Sequence, residues 1–205
     1  MIERFLRPPV TPGEWLADAV RVVGFLSVFI AAIGWGGTDA GIVAIGLPAL
    51  VLPRFLGARA AFDIIYCVSV LVASWSNVFD LYRTVPGWDL VVHFVCTGVL
   101  SLMLFVLASR IGVVPGGLDE GQAARVPIVI VGMTGLAISA IWEMIEWAGY
   151  TFVTEEIFVA YVDTIGDMAA GGLGALLAGV IASRVRMVEP PVRSPDSLVF
   201  RGRNG

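Results

Sequence analysis

Six apolar stretches, most of them long enough to cross a lipid bilayer, dominate this sequence. A helix rises ~1.5 Å per residue, so ~20 residues span the hydrocarbon core. The stretches run over about residues 14–35, 40–55, 60–82, 86–109, 126–152 and 159–185. The second is the shortest and carries Pro48 and Pro53, so it is expected to be kinked or partly re-entrant. Charged residues make up 15% of the 205-residue chain, against about 25% in an average soluble domain. With a mean hydropathy of +0.88, the chain has too little polar surface for water and takes lipid as its solvent. The expected fold is an all-α, polytopic transmembrane bundle of about six spans. One membrane domain covers residues 1–187. Residues 188–205, with Pro190, Pro191 and Pro195, form a cytoplasmic tail expected to be disordered or to lie on anionic headgroups.

The 13 basic residues are all arginine, and their placement orients the bundle. With the N-terminus cytoplasmic, Arg4, Arg7, Arg54, Arg59, Arg110, Arg125 and every arginine from Arg184 onward fall inside. Arg83 alone falls in an outer loop, and Arg21 lies in the first span near its inner end. Both termini are therefore expected inside. Arg4 and Arg7 before an apolar run resemble a signal peptide, but no small-residue cleavage site follows, so the run reads as a retained first helix. Trp35, Trp88 and Trp147 fall near the outer interface and Trp15 near the inner one. No basic cluster is interleaved with aromatics, which argues against nucleic acid as a partner. Cys67 and Cys96 lie in apolar spans and read as inert packing. The sixth span carries small residues four apart, Ala170 with Gly174 and Ala175 with Gly179. That spacing lets another helix approach closely, within the chain in the first instance and between copies as the alternative.

Ionisable residues within membrane spans are costly and mark functional sites. The fourth span has Asp89 and His93, the fifth Glu143 and Glu146, the sixth Asp163 and Asp167. Spacings of three and four put each pair on one helical face. In the expected topology all three pairs fall in the outer half. His93, Glu146 and Asp167 lie ~9–12 Å below the outer ends of their spans. The three helices can thus close around one outward-facing polar site, with Asn77 and Asp80 as its wall or mouth. Five ionised carboxylates in low dielectric require compensation: one or two metal cations, bound protons, or Arg83 folding in from its loop. Oxygen donors with a single imidazole suit magnesium, manganese, calcium or iron, and zinc is also compatible. A di-iron bundle carries two Glu-x-x-His motifs, whereas His93 is the one histidine here. Singly, each residue has a structural explanation. Asp89 and Asp163 can charge helix N-termini, Glu146 can sit near water, and His93 can donate to a backbone carbonyl. Glu143, Asp167 and His93 are the hardest to explain in that way.

The segments at 88–94 (WDLVVHF), 141–147 (IWEMIEW) and 163–168 (DTIGDM) resemble, in order, the Asp-x-x-x-His-Phe, Glu-x-x-Glu-Trp and Asp-Thr-x-x-Asp-Met pattern of bacterial inner-membrane proteins of the YjdF type. The first segment alone is also similar to VanZ-like membrane proteins. The resemblance implies a polytopic protein of the bacterial cytoplasmic membrane and supplies no activity.

Three functions compete. One is a divalent-metal protein, a possible hydrolase or transferase acting on a lipid-linked substrate at the outer leaflet, with Glu143 or Glu146 as base. Another is a proton- or cation-coupled transporter, against which stand the outer-half confinement and the lack of an inverted repeat. The last is an accessory subunit of a larger membrane complex, or a homo-oligomer. The topology is directly testable: cysteine labelling from outside intact cells should reach introduced thiols at 155–156 and miss those at 110–125. The reverse pattern would invert the orientation.

Overall fold

In the computed structural model, which describes residues 2–114, 123, 125–152 and 159–189, the apolar stretches are α-helices. A short α1 (Ile2–Leu6) precedes α2 (Pro12–Gly34), α3 (Gly37–Ile45) and α4 (Leu47–Leu56). Then come α5 (Ala60–Val78), α6 (Leu81–Thr84), α7 (Trp88–Arg110), α8 (Arg125–Phe152) and α9 (Tyr161–Ala182). Six segments are long and apolar enough to cross a membrane, α3 and α4 counting together as Gly37–Leu56. Among the described residues there is no strand, only a single antiparallel bridge between Ala58 and Val188. The all-helical expectation holds.

Local chemistry sets the helix ends. Thr11 opens α2 with a capping box: its hydroxyl accepts from the Glu14 amide at 3.2 Å, and the Glu14 carboxylate accepts from the Thr11 amide at 3.2 Å. The second span breaks at Gly46 into α3 and α4, with Pro48 in the first turn of α4 and Pro53 inside it. Pro53 has no N–H for the ladder, yet α4 runs through it, so the interruption of this span falls at Gly46, next to Pro48. Gly57 closes α4 at φ 65°, a left-handed conformation that glycine adopts without steric cost. The third span was expected to reach residue 82. It stops instead at Val78, because Asp80 takes φ 54°, the single left-handed non-glycine among the described residues. A short polar side chain tolerates that conformation, and the ladder cannot continue through it.

Both described ends of the chain lie at one end of the bundle. Arg4 packs against Gly57, and the Arg59 amide donates to the Met187 carbonyl at 2.9 Å while the Glu189 amide donates to Gly57. Val188 and Glu189 are thus paired to the loop after α4. The remainder of the expected tail, residues 190–205, lies outside the described residues, as does most of the 110–125 connection.

Helix α9 packs along both α7 and α8. The contact is made by glycine faces. A Cβ on Gly98 of α7 would come within 2.9 Å of the Gly174 carbonyl, and one on Gly174 would overlap the Phe94 carbonyl. A Cβ on Gly179 would meet the backbone of Pro127 and Ile128 in α8 at 2.8–2.9 Å. The small-residue pairs of the sixth span therefore serve two different helices of the same chain. Above them Leu102, Met103, Phe105, Val106, Val131 and Ala175 join Tyr66 and Leu50 in the main apolar core.

The N-terminal helices are held by a buried ion pair that the sequence reading passed over. The guanidinium of Arg21 donates to both oxygens of Asp63 at 2.5 and 2.6 Å, to Asp18 at 2.8 Å and to the Leu50 carbonyl at 2.9 Å. Arg21 and Asp63 are 6% and 4% exposed, so the pair ties α2, α4 and α5 together in low dielectric. One nitrogen, Nη2, serves both Asp63 oxygens, while Nη1 and Nε donate to Asp18 and Leu50, and these added bonds offset part of the desolvation cost.

Gly174→Ala should destabilise the protein. Forcing a methyl into a backbone contact costs ~1–3 kcal/mol, and ~1 kcal/mol corresponds to ~2–4 °C in a chain of this size. Gly37→Ala, where a Cβ meets nothing within 4 Å, should leave the thermal midpoint within about 1 °C on the same scale.

Candidate functional site

The glycine-mediated approach of α9 to α7 and α8 positions the ionisable residues. Asp89 and His93 occupy the first two turns of α7, and Asp163 and Asp167 the first two turns of α9. Glu143 and Glu146 lie in the last third of α8. These three helix ends meet at the end of the bundle opposite the chain ends.

At the centre stands His93, 7% exposed. Its Nε2 lies 3.3 Å from Asp89 Oδ1, and its Nδ1 lies 3.9 Å from Glu143 Oε1. Asp167, 2% exposed, completes a triad with Asp89 and His93. One potential ligand atom from each of the three falls within 4.8 Å of the others. Glu143 is 8% exposed and is approached by the Thr164 side chain. Two carboxylate oxygens, Glu143 Oε1 and Asp167 Oδ1, are buried without a hydrogen-bond partner. Buried acceptors of this kind are costly unless something else satisfies them.

Glu146 and Asp163 are half-buried at the margin. Glu146 Oε1 accepts from the Trp142 indole at 2.8 Å, and its charge couples to Glu143, His93 and Asp89. Asp163 couples to Asp89 and His93. All six residues thus belong to one electrostatic cluster, with Asp89, His93, Asp167 and Glu143 at its centre. Of the expected wall, Asn77 and Asp80 are exposed, and Arg83 lies 3.9 Å from Asp80, both side chains more than half exposed. Next to Asp89, the Trp88 indole donates to Ser76 at 2.8 Å, and the Tyr82 hydroxyl donates to the Ala73 carbonyl at 2.9 Å, so α6 and α7 are tied to α5.

The sequence reading also missed a buried hydroxyl column beneath the cluster. Thr97 and Ser101 continue the face of His93 at intervals of four, and Ser139 lies one turn before Glu143. They are 4%, 0% and 0% exposed, and the Ser139 hydroxyl has no hydrogen-bond partner. Gly171 makes room for them: a Cβ there would overlap Ser139 Oγ and lie 2.9 Å from Thr97 Oγ1. The spacing was readable, but serine and threonine carry no charge and pass for ordinary helix residues in an apolar span.

The family described as predicted membrane protein (DUF2238) matches residues 14–187. The chain belongs to it. The match covers all six residues of the cluster and every spanning helix except the first two residues of α2. It agrees with the resemblance to an uncharacterised membrane family. No curated protein and no solved structure matches the chain.

The cluster's charge balance is open to test. In chelator, Asp167→Asn removes one of several crowded carboxylates and should raise the thermal midpoint by about 2–4 °C. His93→Ala removes the imidazole that faces Asp89, Glu143 and Asp167 and should lower it. A loss of stability in Asp167→Asn as large as that in His93→Ala would show that repulsion does not govern this cluster.

Proposed function

We propose that this member of the family holds a divalent cation between α7, α8 and α9. The observation that carries the reading is the convergence of Asp89, His93 and Asp167 within 4.8 Å, with Asp167 Oδ1 buried and unpartnered. The residues present fit a cation. Asp89, His93 Nε2 and Asp167 would hold it. Glu143, facing His93 Nδ1, would orient the ring as carboxylates do behind metal-bound imidazoles. Two carboxylates with one imidazole are compatible with magnesium, manganese, calcium, iron or zinc.

Such an ion supplies charge neutralisation and Lewis acidity. The chain's own part in any hydrolytic or transfer reaction on a lipid-linked substrate falls to Glu146. It is held by Trp142 at the half-buried margin, where it can take or give a proton, whereas Glu143 is buried and faces His93 Nδ1 at 3.9 Å. The arginine bias supports a site toward the outer leaflet, and the three motifs, through their YjdF-type likeness, support a bacterial cytoplasmic membrane. A second reading, cation or proton transport, draws on the hydroxyl column of Thr97, Ser101 and Ser139. Below that column Met103, Phe105 and Val106 are fully packed, which favours a closed binding site. A role as accessory subunit shares the same ion.

Elemental analysis of the detergent-purified protein should find a divalent metal near one per chain. Chelation should lower the thermal midpoint, and one divalent ion should restore it. Glu143→Gln should weaken metal affinity about 10–100-fold while the helix persists, since both residues are good helix formers. Purified protein with no metal and no response to any divalent ion would refute the metal, leaving protons as the compensator and raising the transport reading.

A further inference from the structure

The three helices of the acidic cluster stay in register beneath it. One turn deeper, each contributes the residue four positions away. Thr97 follows His93 on α7, Gly171 follows Asp167 on α9, and Ser139 precedes Glu143 on α8, which runs the other way. Contacts fix this register. A Cβ at Gly171 would overlap Ser139 Oγ and lie 2.9 Å from Thr97 Oγ1, so both hydroxyls crowd one notch. The next turn repeats the pattern. A Cβ at Gly135 of α8 would overlap the Ala175 Cβ of α9 and lie 3.1 Å from Ser101 Oγ of α7. A charged layer and a hydroxyl layer thus stack along the seam, each drawing on all three helices.

The hydroxyl layer is incomplete. A serine inside a helix usually donates to the carbonyl four residues earlier. Ser101 does so at 2.5 Å, and Ser69, Ser76 and Ser109 do the same. Ser139 does not: it is 0% exposed, and its Oγ has no partner. One turn above it on the same helix, Glu143 Oε1 is also buried and unpartnered. Residues four apart on a helix stand over one another. Ser139 Oγ, Glu143 Oε1 and Thr97 Oγ1 therefore border one stretch of the seam. Met103, Phe105 and Val106 close it below.

The chemistry of this donor set is specific. One carboxylate and two neutral hydroxyls are hard oxygen donors, which suit a hard cation. Their single negative charge is balanced by a single positive one. An ordered water would satisfy the hydrogen bonds and leave the charge of Glu143 uncompensated in low dielectric.

We propose that Thr97, Ser139 and Glu143 form a second cation site, one turn beneath the first, for a dehydrated monovalent cation such as sodium. The two hydroxyl oxygens and one Glu143 oxygen would be its protein ligands, and Gly171 gives the hydroxyls their place. The site goes beyond the divalent reading and does not depend on it, since none of its ligands belongs to the triad of Asp89, His93 and Asp167.

The test uses the full-length protein in detergent. Sodium or potassium chloride replaces choline chloride at constant ionic strength, once in chelator and once with saturating divalent ion. Binding is read by the thermal midpoint and by uptake and displacement of radioactive sodium. Wild type should bind the monovalent ion saturably and gain stability from it in both conditions. Ser139→Ala should weaken that binding about tenfold, the scale of one lost ligand. In choline the same variant should match or exceed the wild-type midpoint, because it removes an unmet buried hydroxyl. Thr97→Val should weaken binding likewise, and Thr97→Ser, which keeps the hydroxyl, should restore it. No effect of sodium or potassium beyond that of choline would overturn the proposal. So would a Ser139→Ala variant destabilised equally in sodium and in choline, the result expected of an ordered water. Absence of any divalent response with sodium binding intact would refute the divalent site alone, so the two readings fail separately.

Discussion

The polar chemistry of this protein depends on how closely α9 approaches α7 and α8. At Gly174 the backbones meet with no room for a side-chain carbon against the Phe94 carbonyl, and at Gly98 the reverse contact is almost as tight. Two turns along α9 from Gly174, that approach brings Asp167 to His93. Wider spacing would leave the same residues too far apart to share an ion. Glycine weakens a helix by ~1 kcal/mol per residue in water. In lipid, where no hydrophobic force draws helices together, it makes the dispersion contacts and the polar convergence possible.

The two halves of the bundle answer one electrostatic problem in different ways. Around Arg21, four oxygens from Asp63, Asp18 and Leu50 surround a single guanidinium, so charge and hydrogen bonds close within the chain. Around His93 the carboxylates crowd a single imidazole, and two buried carboxylate oxygens are unmatched. The first arrangement is self-sufficient and explains how α2, α4 and α5 hold together despite largely lipid-facing surfaces. The second is complete only with an added positive charge, whether ion or proton. Incompleteness of that kind separates a binding site from a structural salt bridge.

The two ends of the bundle therefore differ in charge balance: carboxylates crowd a single imidazole between α7, α8 and α9, whereas at the other end Arg7, Arg21 and Arg54 are paired with Glu14, Asp63 and Asp18. Between them lies a continuous apolar core built on Met103, Phe105 and Val106. The hydroxyl column reaches from the acidic end toward this core and stops at it.

Much of this was legible in the residues. Length and hydropathy decided that helices cross a bilayer, because ~20 apolar residues leave the backbone no other way to satisfy its hydrogen bonds in lipid. Spacings of three and four decided that each of three helices offers two ionisable groups on one face. Tertiary structure alone decided which faces meet. Asn77 and Asp80 have the depth expected of a wall, yet one left-handed residue ends α5 early and both stay exposed. Asp18, Arg21 and Asp63 lie on two separate spans, with nothing in the sequence to join them. Their pairing joins residues 42 positions apart, and helical periodicity carries no information over such a distance. Sequence determines what each helix presents; only the packing of one backbone against another determines what it is presented to.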